Sequence, residues 1–168
     1  VQVAGESYTA KKIFIATGTE PFVPPIPGLS DVPDILTNMN MFEIEKMPES
    51  LAIIGGGAIG SEMAQAFSRL GTKVSLAHMD PHLVPVGDEE AGRLLEEVFA
   101  GEGIEVHNGA RITSVSAEGG LIKTVTDKGT LISERILVAA GRKPVIEPLR
   151  LDRAGVEFTK KGITVDGR

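Results

Sequence analysis

The 168-residue chain contains no cysteine. Disulfides, thiolate metal sites and thiol nucleophiles are therefore excluded from these residues. The chain also lacks any unbroken apolar run of the roughly 18 residues that a membrane-spanning helix needs. Its opening stretch, VQVAGESYTA, has neither the basic nor the apolar segment of a secretory signal. A soluble, cytoplasmic protein with no membrane partner is the expectation. No cluster of Lys and Arg stands out, and 17 basic residues against 23 acidic ones give a formal charge of −6. Such a surface offers nothing to nucleic acid. No Met opens the chain, which starts inside what reads as a strand hairpin and stops in GITVDGR, which reads as another strand. The expectation is a piece of a longer polypeptide, long enough for one full domain and part of a second.

What the chain does have is a phrase that occurs twice. KIFIATGTEP at Lys12–Pro21 and RILVAAGRKP at Arg135–Pro144 share the order basic, three apolar, Ala, small, Gly, two polar, Pro. Each copy reads as a short strand buried on both faces, Ile13–Ile15 in one and Ile136–Ala139 in the other. The tiny residues that follow, Ala16, Thr17 and Gly18 or Ala139, Ala140 and Gly141, remove bulk where the chain leaves the sheet, so that a ligand can approach the backbone. Between the copies lies a glycine fingerprint, GGGAIG at Gly55–Gly60.

The intervening pattern alternates strand and helix. Val1–Ala16 suggests a hairpin leading into the first copy, and Pro21, Pro24, Pro25 and Pro27 favour a stiff extended crossover. Ser50–Ile54 reads as a buried strand running into the glycines, Ala58–Leu70 as an amphipathic helix stopped by Gly71, and Lys73–Ala77 as a second strand. Together they make one βαβ unit. Asp88 is placed to cap a further helix with Ala91, Leu94, Leu95, Val98 and Phe99 on its apolar side, while Glu89, Glu90, Glu96 and Glu97 form its solvated face. Ile104–Val106 is a third strand. Turn signals at Asn108–Gly109, Gly119–Gly120 and Lys128–Gly129 then separate three short alternating stretches, Ile112–Ser116, Leu121–Val125 and Thr130–Ile132, as in an antiparallel meander. The fold class is α/β: a Rossmann-like dinucleotide-binding domain with a parallel sheet, helices and a meander.

A glycine triplet is a weak signal alone, but Gly55-x-Gly57-x-x-Gly60 follows a buried strand and opens a helix, as dinucleotide binding requires. Gly55 makes the tight turn, Gly57 lets backbone reach the pyrophosphate, and Gly60 permits close helix packing. The helix start offers unpaired N–H groups and a positive dipole end to phosphate. About 20 positions on, an acid normally holds the adenosine ribose. This chain has Ala77, His78 and Met79 there, and no Arg between Leu70 and Asp88 to clamp a 2′-phosphate. His78 can serve either ribose or phosphate; the missing acid tilts the expectation towards NADP. His78 and His82 stand at i and i+4, but Pro81 breaks any helix that would align them and no third ligand is near, so no metal is expected. His107 reads as a surface residue at a strand end, and Glu62 as a solvent-facing helix acid.

Taken together, IATGTEPFVPPIPG, IIGGGAIGSEMAQAFSRLG and ILVAAGRKP resemble the pyridine nucleotide–disulfide oxidoreductase family of flavoproteins, which includes dihydrolipoamide dehydrogenase, glutathione reductase and mercuric reductase. The resemblance spans nearly the whole chain. It implies that residues 1–20 end a first FAD-domain segment, with Ala16, Thr17 and Gly18 near FAD. Residues 21–142 would then be an inserted NAD(P) domain, and residues 143–168 the return towards the FAD domain. It implies that Gly55, Gly56, Gly57, Ala58, Ile59, Gly60, Ser61 and Glu62 line the nicotinamide nucleotide. By the same resemblance His78 is at the ribose-selectivity position, Ile112 touches adenosine and Gly141 lies on the nicotinamide side. Glu62 matches a glutamate that pairs with a flavin-side lysine, absent here, and orients the nicotinamide. Ala58 replaces a bulky gate, often Tyr, over the flavin.

The implied reaction passes hydride from NAD(P)H to FAD and on to a disulfide or similar acceptor, or the reverse. The family's Cys pair and C-terminal homodimer domain are not in these residues, so the chain by itself is expected to bind nucleotide and catalyse nothing. Two alternatives stay open: a flavoprotein of NADH oxidase or ferredoxin reductase type without a redox Cys pair, and a non-enzymatic nucleotide-binding module.

Overall fold

The computed structural model describes residues 1–166; the last two positions of the expected terminal strand lie outside them. The chain divides into two compact units, one made of Pro21–Arg142 and the other of Val1–Glu20 together with the chain from Lys143 onward.

In the second of these, β1 (Gln2–Val3) and β2 (Glu6–Ser7) form the expected hairpin, shorter than the sequence suggests. The first copy of the repeated phrase departs from expectation. Ile13, Phe14 and Ile15 are not a strand but exposed irregular chain, with Phe14 90% exposed. The physical reason is pairing: among the described residues this segment has no ladder partner, so its backbone groups have no sheet to satisfy them. Strand β3 starts later, at Thr19–Pro21.

The larger unit is built in three layers. Four parallel strands make its middle: β4 (Ser50–Ile54), β5 (Lys73–Ala77), β6 (Glu105–His107) and β10 (Arg135–Val138), in spatial order β10-β4-β5-β6. Because side chains alternate across a strand, Leu51, Ile53, Leu76 and Leu137 pack on one face with Ala64, Phe67 and Phe99 from the helices. Ala52, Ile54, Ile136 and Val138 pack on the other with Leu29, Val32, Val115 and Ile122. The first face carries α1 (Ala58–Arg69) and α2 (Glu89–Gly101). The second carries the antiparallel meander β7 (Ile112–Glu118), β8 (Leu121–Thr126) and β9 (Gly129–Ser133), as the alternating stretches and glycine turns predict.

The second helix is only partly as expected. Asp88 does cap it, accepting from the Glu90 N–H at 2.9 Å. Its inward side, however, consists of Gly92, Leu95 and Phe99, while Leu94 is 60% exposed and Ala91 and Val98 are exposed too. Gly92 explains the rotation: a Cβ there would meet the Leu83 carbonyl oxygen at 2.4 Å, so the helix turns its smallest residue towards that loop. Glu96 is correspondingly not a solvated acid. Its carboxylate accepts from the Leu83 N–H at 2.9 Å.

After β10 the chain enters β11 (Arg142–Pro144), which pairs with β3, and then two short 3-10 turns and a small hairpin, β12 (Phe158–Thr159) with β13 (Gly162–Ile163).

Candidate functional site

Register alone brings the candidate residues together. Ile54 lies beside Ala77 and Val138, and Ala77 beside His107. The residues that leave these strands, Gly55, His78, Asn108 and Ala139, therefore emerge along one carboxyl edge. In open α/β sheets ligands bind outside that edge, where connections leave in opposite directions. Here β4 is followed by α1 and β5 on one side, while β10 flanks it on the other, so the crevice falls at Gly55 and Ala139.

The fingerprint glycines divide by what a side chain would meet. Gly55 has φ +116°, and a Cβ on it would lie 2.3 Å from the Ala139 carbonyl oxygen. A Cβ on Gly60 would lie 1.9 Å from the Gly55 carbonyl oxygen, and one on Gly56 2.6 Å from the His78 ring. These three are required by packing. Gly57 is different, because a Cβ there would meet nothing within 4 Å. Its missing side chain leaves space beside the first turn of α1.

That helix start is unusual for its polarity. Gly57 caps α1 without any side-chain acceptor, and no acid lies in the first turn. By contrast α2 has Asp88 as its cap and Glu89 and Glu90 in its first turn. A helix start without its own acceptors keeps its N–H groups and dipole available to an anion.

The cleft at this edge measures ≈ 380 Å³. Gly55, Gly56 and Gly57 line it, with His78, Ile112 and Gly141, all expected from the sequence. Ala58, Ile59, Gly60, Ser61 and Glu62 continue along α1; Ser61 is buried with its hydroxyl directed at the Gly56 carbonyl, and Glu62 and Ala58 are exposed. Ala16, Thr17 and Gly18 lie in the other unit and are exposed. Sequence reasoning missed Phe22, Pro24, Met79, Asp80 and Pro85, which also line the cleft. Asp80 was legible in principle, since it stands about 20 positions beyond Gly60, the spacing at which a ribose acid is sought. A larger open depression, ≈ 630 Å³, runs along α2 between Asp88 and Glu97; it is one exposed helix side with no glycine turn or strand edge.

The cleft's far corner is closely tied. The Nε2 of His78 is 2.6 Å from the Asn108 side-chain oxygen, the Ala110 N–H donates to the His78 carbonyl at 2.7 Å, and Gly109 N–H donates to the Asp80 carbonyl at 2.9 Å. Lys128 Nζ donates to the Asn108 carbonyl at 2.7 Å. His82 is buried with Nδ1 2.9 Å from the Leu83 carbonyl oxygen, so the two histidines serve separate backbone turns. His107 is half-buried rather than a plain surface residue, because β6 pairs along its length with β5. Across the mouth, Val84 holds φ +47° and donates to the Gly56 carbonyl at 2.7 Å. A β-branched residue in that region is strained, and the surrounding bonds keep it there.

The residues present fit a dinucleotide: a tight glycine turn, an opening where Gly57 has no side chain, an uncapped helix start and mainly apolar walls. The chain is 36% identical to the mercuric reductase of Staphylococcus aureus over 96% of its own length and 30% of that protein's. It is 37% identical to the dihydrolipoyl dehydrogenase of Bacillus subtilis (strain 168), over 94% and 35% respectively. Among solved structures, the HOCl-induced flavoprotein disulfide reductase RclA from Escherichia coli superposes with a TM-score of 0.86 at 28% identity, covering 93% of this chain and 36% of that one. The chain thus spans about a third of the length of these relatives. The family profile described as pyridine nucleotide-disulphide oxidoreductase matches residues 1–168, and the chain belongs to that family.

Proposed function

We propose that the cleft binds NAD(P)H and that this chain is the nucleotide-binding part of a flavoprotein oxidoreductase, which passes hydride to FAD and on to a disulfide or similar acceptor, or runs the reverse. The observation that carries this reading is the pairing of an open Gly57 with an uncapped, acid-free start of α1 at the carboxyl edge of a parallel sheet. Pyrophosphate fits there because the helix supplies N–H donors and a positive dipole end. The nicotinamide supplies the hydride chemistry when bound; the chain's share is orientation and electrostatics. Residues 21–142 form the nucleotide domain in this reading, and residues 1–20 and 143–168 belong to the FAD side, where Ala16, Thr17 and Gly18 meet the flavin nucleotide. Glu62, exposed on α1, orients the nicotinamide ring towards the flavin.

Anaerobic mixing of the whole FAD-containing protein with NADH or NADPH tests the reading. Bleaching of the flavin absorption is expected. A protein that retains no flavin, or whose flavin stays oxidised with both nucleotides, contradicts it. A Glu62→Gln change is expected to slow flavin reduction about 10-fold, about 1.4 kcal/mol in the barrier, while nucleotide affinity stays nearly constant in the same experiment.

A further inference from the structure

The corner of the cleft formed by His78, Met79 and Asp80 decides more than the glycines do. His78 occupies the position at which an acid is normally found and lines the cleft, but its side chain is almost closed off from solvent. It is 3% exposed, its ring packs close against Gly56, and Nε2 is bonded to the Asn108 side-chain oxygen. An amide oxygen only accepts, so in the neutral ring Nε2 carries the proton and Nδ1 is a bare lone pair. That Nδ1 is buried without a hydrogen-bond partner and faces the Asp80 carboxylate at 3.8 Å.

Asp80 is the more open of the two groups at the cleft. Its side chain is 52% exposed and lines the opening, while its backbone carbonyl is held by the Gly109 N–H. Among the described residues no Lys or Arg lines the cleft. Lys128, the amine tied to the neighbouring turn, is committed to the Asn108 carbonyl. A carboxylate with no Lys or Arg beside it accepts hydrogen bonds from a pair of ribose hydroxyls. A 2′-phosphate in the same place would set about two negative charges against a third, with no guanidinium to offset them.

We propose that Asp80 is the specificity-determining residue of this site, accepting from the adenosine ribose hydroxyls, and that the chain therefore takes NADH in preference to NADPH. The proposal rests on the dinucleotide reading above. It reverses the tilt towards NADP that the missing acid at position 78 suggests, because the acid is displaced by two positions and has the histidine packed behind it.

The test is calorimetric titration of the full chain with NADH and with NADPH, for the wild type and for Asp80→Asn and Asp80→Ser, whose half-exposed position makes both changes mild for folding. Expected are an NADH preference of at least about 10-fold, equal to about 1.4 kcal/mol, and its loss in both variants, chiefly through tighter NADPH binding. Equal wild-type affinities overturn the proposal, as does an unchanged ratio in the variants. So does an NADPH preference that Lys128→Ala removes, which would assign the phosphate to that amine. Binding of neither nucleotide overturns the dinucleotide reading itself, a result distinct from the other three.

Discussion

At the scale of single residues, the same amino acid serves opposite purposes within three positions. Gly55 is required by φ and by the Ala139 carbonyl, whereas Gly57 is required by nothing in the protein. A glycine needed only by a ligand should separate stability from binding. Gly57→Ala is expected to change stability by no more than about 0.5 kcal/mol, yet to weaken NADH binding at least about 10-fold, about 1.4 kcal/mol. Gly55→Ala should instead cost about 1–3 kcal/mol, the usual penalty of forcing atoms into filled space. Thermal unfolding and titration of the two variants check this together. An equal loss of stability in both would show that Gly57 is structural. The structural roles of Gly55 and Gly60 were legible from the fingerprint spacing, since a Cβ at either would meet backbone. Asp80 stands at a legible distance from Gly60, but its place in the cleft in front of a buried His78 follows from the Asn108 contact across strands, which the spacing does not show.

At the scale of elements, helix ends and helix faces behaved differently as signals. The two N-termini were readable: Asp88 before α2 predicts a cap and finds one, and the run of glycines before α1 predicts an uncapped start. Faces were less so. The spacing of Ala91, Leu94, Leu95, Val98 and Phe99 indicated the apolar side, but the close approach of Gly92 to Leu83 rotates α2 and leaves Phe99 as its fully buried anchor. Phe99→Ala is therefore expected to cost about 3–5 kcal/mol, and Leu94→Ala well under 1 kcal/mol, as read by denaturant unfolding.

The helices are also joined by charge. Arg69 on α1 donates to both oxygens of Glu102 at the end of α2, at 2.6 and 3.3 Å. The guanidinium hydrogen bond holds the Glu102 carboxyl below its ordinary range. A carboxyl lowered in this way stabilises the folded chain above its unfolded pKa, and the contribution is lost as pH falls through the folded one. Both side chains meet water, so the effect is small. The Tm difference between wild type and Arg69→Met should be slight at pH 7 and vanish in acid. A difference that persists in acid would assign it to packing of the Arg stem.

At the scale of the whole molecule, the three layers of the larger unit follow from period. Strands with apolar residues on both faces demand cover on both sides, and the chain supplies helices for one and an alternating meander for the other. The two copies of the repeated phrase show where that logic ends. Arg135–Val138 finds β4 as a parallel neighbour and becomes a buried strand, while Ile13–Ile15 has a similar three-residue apolar run and stays exposed. Composition states what a segment can form; pairing decides whether it does. The segment's unpaired amides should exchange rapidly with solvent, in contrast to those of β4 and β10.

The central claim is that a nicotinamide dinucleotide lies across the glycine turn with its phosphates at the start of α1. Amide hydrogen exchange with and without saturating NADH tests it most directly. Slowed exchange concentrated at residues 55–61, 78–80 and 139–141 is the predicted result; protection absent there, or centred on the exposed side of α2, would contradict it.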